Sequence, residues 1–259
     1  MLNLAGLSFG AGAAAACLLV WLALDYLTTL LTGMAVLSAL FAVSAARGRL
    51  FRLGPSLAFG FRVDWRGMAH PITFLLSMAL LAQAAAHWSL AGWLPLYLTR
   101  KWGATASIAL GTLTLYWIAP SSARVVASRL PPLEERVRSL VIATAVNLLG
   151  ATFLLRARDL SGVIAGTLLL GTGSGVLYFM TTRLITRRYP SYHPDLVSAH
   201  LMLYLGGGFL APWLIGPLAN SFGVDSVLWL VLGSSTLVFL VLTVFFVEAW
   251  LSSQTVALE

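Results

Sequence analysis

Charged residues are scarce in this sequence. They make up 10% of the 259 residues, where a soluble globular domain carries about 25%. A chain so poor in charge has too little polar surface for water, which excludes an ordinary soluble domain. Cysteine is nearly absent too. Cys17 stands alone, so a disulfide within the chain and a thiolate metal site are excluded. Acids are few, nine Asp and Glu in all, and none falls securely inside an apolar stretch. Proton relays inside membranes generally use buried carboxylates, so acid-based coupling is not expected here. The four histidines, His70, His87, His193 and His200, include no pair at metal-ligand spacing. A membrane enzyme would need clustered His, Asp or Glu. The chain therefore reads as no enzyme, with no cofactor and no metal. No Lys or Arg precedes the first apolar run at Leu4. A secretory leader needs a basic start, so this run is expected to stay as a helix.

What the chain has in abundance is apolar residue, 59% of the total, with a mean hydropathy of +0.89. Eight apolar runs follow one another: Leu4–Leu24, Tyr26–Ala45, Pro71–Leu98, Ala104–Ala127, Ser139–Leu155, Leu160–Thr182, Leu196–Leu218 and Ser226–Val247. Each is close to the ~20 residues needed to cross a bilayer as a helix. The runs are continuous rather than alternating, which disfavours strands. The expected fold is an all-α polytopic membrane bundle of about eight transmembrane helices. The shortest run is the fifth.

Net charge is +7, yet the arginines sit in short clusters between apolar runs rather than on one basic face. They therefore report topology, and no nucleic-acid partner is expected. Arg47, Arg49, Arg52, Arg62 and Arg66 lie in one loop, Arg124, Arg129, Arg136 and Arg138 in a second, and Arg183, Arg187 and Arg188 in a third. With eight helices these loops share one side and hold 12 of the 16 basic residues. By the positive-inside rule that side is cytoplasmic, as are both termini. The organisation expected is two helices in 1–46, a cytoplasmic linker in 47–70 rich in Gly and Arg, and a six-helix bundle in 71–259.

Six helices after a long basic linker, with at least two before it, resemble the major facilitator superfamily. Several local stretches carry the resemblance. Gly92-Trp93-Leu94-Pro95-Leu96-Tyr97-Leu98 is similar to the outer end of the family's seventh helix. Arg124 to Arg129 resembles the basic loop between its helices eight and nine. Gly206-Gly207-Gly208-Phe209-Leu210-Ala211-Pro212 and Gly216 to Gly223 resemble helix eleven and its exit. Asn3 to Gly12 looks like helix five of the sugar-permease branch. The resemblance implies a permease of the bacterial inner (plasma) membrane. It would move a small organic solute, a sugar in that branch, by alternating access, with a proton as the candidate coupling ion. Two positions depart from the family: Ala16-Cys17 replaces a common Gly-Pro, and His87 lies near the place of an acid found in some relatives. Nothing corresponds to the first four family helices. The sequence therefore leaves open a truncated or degenerate permease with a structural role only.

Polar residues inside the runs are the candidate site. Gln83 and His87 are four apart and share one helix face. Burying them in hydrocarbon without partners is costly, so that face is expected to turn into the bundle. They are read either as a solute surface with Trp88 and Trp93 beside them, or as interhelical bonding plus an aromatic belt. The resemblance adds Tyr116, Tyr178 and Tyr204, because family helices seven, eight, ten and eleven line that side of the cavity. Arg124 and Arg129 are candidates for gating, by capping helix ends or pairing with acids. Gly207 and Gly208 with Pro212 mark an expected bend in the seventh run. The glycines Gly166, Gly171, Gly173 and Gly175 favour close helix packing over a flexible gate. Asn147 reads as a helix-to-helix bond.

Overall fold

The computed structural model describes residues 2–22, 33, 36, 40, 71–128, 133–188 and 193–256. Among them are seven helices: α1 (Leu2–Leu22), α2 (Pro71–Trp102), α3 (Ala106–Ser128), α4 (Leu133–Arg156), α5 (Leu160–Arg188), α6 (His193–Phe222) and α7 (Ser226–Val256). The second apolar run, Tyr26–Ala45, lies outside the described residues except for Gly33, Val36 and Leu40, which are helical and exposed. The linker 47–70 lies outside them entirely.

Local chemistry sets the turns. Gly103 ends α2 at φ +60° and Gly223 ends α6 at φ +82°, a left-handed backbone that glycine adopts without steric cost. Asp159 caps α5, its carboxylate accepting from Gly162 N–H at 2.7 Å. Between these stops the chain is apolar enough to stay helical across hydrocarbon, where only helices and closed barrels satisfy every backbone polar group. Five of the described helices are long and apolar enough to span a membrane: α2, α4, α5, α6 and α7. The fifth apolar run, the shortest, is one of them. α3, which carries Tyr116, Trp117, Pro120 and the serines after it, is not among the five. The protein is a multi-pass integral membrane protein.

The helices pack as a bundle around α2, which touches α3, α5, α6 and α7; α4 closes the ring between α5 and α7. The first helix, α1, docks on α3, with Ala13, Ala14 and Cys17 against the core. α2 is the most enclosed span, 72% buried, and α6 the least, 17%. Phe209, Trp213 and Phe222 of α6 are among the most exposed side chains, an apolar face suited to lipid. Lys101 at the end of α2 pairs with Asp225 in the α6–α7 turn at 2.5 Å, so α2 and α6 run parallel.

The glycines of α5 are packing residues, as the sequence favoured. A Cβ on Gly173 would lie 2.5 Å from the Asn147 backbone nitrogen of α4. One on Gly175 would lie 2.5 Å from Pro120 Cα of α3. Only hydrogen fits at these contacts, so α5 meets its two neighbours backbone to backbone.

Candidate functional site

Two apolar clusters divide the bundle along its length. One joins Ala86 to Leu98 of α2 with Ala151 and Leu154 of α4, Val163 and Leu170 of α5, and Leu228 and Val231 of α7. The other joins Leu76 to Ala82 with Leu140 and Ala143, Val176 and Leu177, and Val238 to Phe245. Each of these helices crosses from one cluster to the other through a short polar stretch: Gln83 in α2, Asn147 in α4, Ser174 in α5 and Ser235 in α7. The result is a polar layer at mid-bundle, sealed by hydrocarbon above and below.

Most of this layer is internally satisfied. Ser235 Oγ donates to Asn147 Oδ1 at 2.7 Å, and Asn147 Nδ2 donates to the Leu170 carbonyl at 3.0 Å. One asparagine thereby ties α4, α5 and α7 together, the helix-to-helix role its sequence context suggested. Gln83 differs. It is 3% exposed and its Oε1 has no donor among the described residues.

One helical turn beyond Gln83, on the same face of α2, His87 Nδ1 lies 2.6 Å from the Tyr116 hydroxyl of α3. That hydroxyl also reaches the His87 carbonyl at 3.3 Å. Either the phenol donates to a bare Nδ1, or Nδ1–H donates to the phenol and the phenol proton goes to the carbonyl. Both arrangements leave the pair neutral and bonded. Trp117 meets His87 edge to face at 5.0 Å between ring centroids, and Trp88 meets Trp117 at 5.6 Å. The four rings form one closed aromatic block.

The other predicted residues fall around this centre. Trp93 lies two turns further along α2, where its Nε1 donates to the Pro212 carbonyl of α6 at 3.0 Å. Gly207 faces the Leu81 carbonyl, where an added Cβ would approach to 2.6 Å, and Gly208 faces the Trp88 ring. At the place of the expected bend the helix continues unbroken through the triplet, and two of its glycines admit α2. Arg124 is partly buried and its Nε donates to the Gly175 carbonyl at 2.8 Å. That acceptor lies inside α5, not at a helix end or on an acid. Arg124 is within electrostatic reach of His87 and Tyr204. Tyr204 is partly buried on α6 and likewise near Tyr116. The side chain of Tyr178 and the whole of Arg129 lie outside the described residues.

Sequence reasoning missed two features. Trp117 belongs to the aromatic block, and its place directly after Tyr116 was the available signal. His200 of α6 is 1% exposed with Nε2 2.9 Å from Ser77 Oγ of α2. Ser77 gives its one proton to the Thr73 carbonyl at 2.6 Å, so its oxygen accepts from His200 Nε2–H. Ser77 shares a face with His87, but nothing in the sequence pairs it with a residue 123 positions away.

Neither a scan against protein-family models nor a search of curated proteins finds a match to this chain.

Proposed function

We propose that this protein is a permease of the major facilitator type that moves a small organic solute across the membrane. The observation that carries the reading is the polar layer at mid-bundle, and within it the buried Gln83 oxygen that lacks a donor. A transporter needs polar groups near the membrane midplane, and intramembrane polar side chains are kept where they serve a pathway or a packing bond. In this reading Gln83, His87 and Tyr116 contact the solute, with Trp88, Trp93, Tyr178 and Tyr204 around them. Arg124 and Arg129 act at the inner gate. The bundle rocks around the fixed site, and the glycine-lined contact of α6 with α2 lets those helices shift. The arginine distribution supports a cytoplasmic position for both termini and for the linker, in the inner membrane of a bacterium. His87 is the candidate carrier if a proton is the coupling ion. No enzymatic step is part of the proposal. A sugar remains the solute suggested by the branch resemblance of the N-terminal stretch.

A second reading is favoured by a specific observation. His87 and Tyr116 are 4% and 0% exposed and already bonded to each other, as a purely structural tie would be. In that case the polar layer is a structural tie and the chain carries no transport. Flux into proteoliposomes loaded with candidate solutes separates the two. Saturable uptake by the purified chain supports the permease; no saturable uptake of any solute tested leaves the structural role.

A further inference from the structure

The charge of the solute follows from what surrounds Gln83. We infer that Gln83 selects solutes by charge: the site takes an uncharged or anionic solute that brings an O–H or N–H donor, and rejects a cation. This rests on the permease reading, because it treats the mid-bundle layer as the place where a solute sits.

Three observations converge. First, Gln83 Oε1 is a buried acceptor with no donor among the described residues. The neighbouring amide of the same layer, Asn147, has both ends engaged. A buried carbonyl oxygen of this kind has an open acceptor position that a donor brought by a solute can fill. Second, no acid stands anywhere in 71–133, 136–158, 160–194, 196–224 or 226–247. A cation brought into this layer would lose its hydration shell and meet no carboxylate among the described residues of these segments, an unfavourable exchange. Arg124, partly buried on α3 with its Nε bonded to the Gly175 carbonyl, adds a fixed positive charge to the bundle. Third, the rings beside Gln83 do not form an open cage for a cation. His87, Trp88 and Trp117 pack edge to face on one another, and these contacts occupy ring surface that cation–π binding would need. An amide at position 83 therefore does what a carboxylate there would not: it accepts a hydrogen bond without attracting positive charge.

The experiment uses three probes with one hydroxylated carbon chain and different heads: sorbitol, gluconate and glucamine, which is an ammonium at neutral pH. Binding of each tritiated probe to the purified full chain in lipid nanodiscs is measured, with uptake into proteoliposomes in parallel. Sorbitol and gluconate are expected to bind at least about tenfold more tightly than glucamine, roughly one lost charge-compensated contact. Gln83→Met, close in shape but without the acceptor, is expected to weaken both by about tenfold. Gln83→Glu is expected to reverse the order, so that glucamine outbinds gluconate. The inference is overturned if glucamine binds wild type as well as the others, if Gln83→Met leaves binding unchanged, or if none of the three binds. Should Gln83→Glu not fold, the wild-type order and Gln83→Met still decide. Binding in the stated order without uptake would defeat the permease reading and leave the charge selection standing. Uptake that prefers glucamine would do the reverse.

Discussion

Asn147 and Ser235 belong to helices that are distant in sequence, yet each satisfies the other's buried polar group. Replacing Ser235 by Ala strips Asn147 Oδ1 of its donor while both positions stay buried. A double-mutant cycle with Asn147→Ala and Ser235→Ala should give a coupling of about 0.6 kcal/mol, the average for interhelical bonds in membranes, and no more than about 1.7. It is read from unfolding in detergent, and no coupling would mean the two side chains act independently. At Gly173 the governing effect is steric. Its added Cβ would strike backbone, which cannot move aside as a side-chain tip can. Gly173→Ala should cost roughly 1–3 kcal/mol by overpacking. Gly206→Ala, with nothing within 4 Å, should be neutral or gain up to about 1 kcal/mol of helix propensity. Melting temperatures of the two variants, compared side by side, check the contrast. The apolar setting of Gln83 and His87 was legible from their four-residue spacing. Which of them finds a partner was not, because the partner of His87 comes from another helix 29 residues on.

Helix ends and helix contacts have separate causes. Asp159 caps α5 from an exposed position, and the Gly162 N–H it accepts holds its carboxyl below the usual carboxylate range. A depressed folded pKa means the cap stabilises fully above the unfolded value of about 3.9 and fades as pH falls through the lower folded value. Asp159→Asn keeps a capping oxygen but removes the titration. Unfolding followed from pH 7 toward pH 3 should lose part of its acid dependence in that variant. Between α2 and α6 the contact is made by Gly207, Gly208 and the Trp93 bond to the Pro212 carbonyl. Trp93→Phe keeps the ring and removes the donor. It should cost about 0.5–1.5 kcal/mol in thermal unfolding and raise the rate at which probes on α6 become accessible. The apolar runs located these helices because hydrocarbon demands apolar side chains. They did not locate the ends: α4 begins at Leu133 and α5 continues to Arg188, since backbone bonding persists into the polar interface after apolarity stops.

For the molecule as a whole, the order of helices through the bilayer decides where each loop lies. The Lys101–Asp225 pair puts the α2–α3 turn and the α6–α7 turn at one end, which agrees with alternate crossing. If the arginine-rich loops face the cytoplasm, single cysteines introduced at Thr105 and Val224 in a Cys17→Ser background should react with an impermeant maleimide added outside intact cells. Cysteines within 47–70 should react only after lysis. Labelling of the linker from outside would invert the topology and remove the main support for the family resemblance. The exposed aromatic and aliphatic face of α6 (Phe209, Trp213, Phe222) is no liability in such a molecule, because the solvent around it is lipid.

By itself the sequence determined the class of environment. Scarce charge, long apolar runs and clustered arginines commit this chain to a membrane and to helices, since a bilayer offers the backbone few other solutions. It also marked which side chains would be costly to bury. Tertiary structure alone decided how that cost is met: Asn147 with Ser235, His87 with Tyr116, His200 with Ser77, and Gln83 with no donor among the described residues. Hydrophobicity is a property of each residue and can be read along the chain. Hydrogen-bond satisfaction is a property of pairs brought together by packing, and pairs separated by tens of residues leave no mark on the order of amino acids.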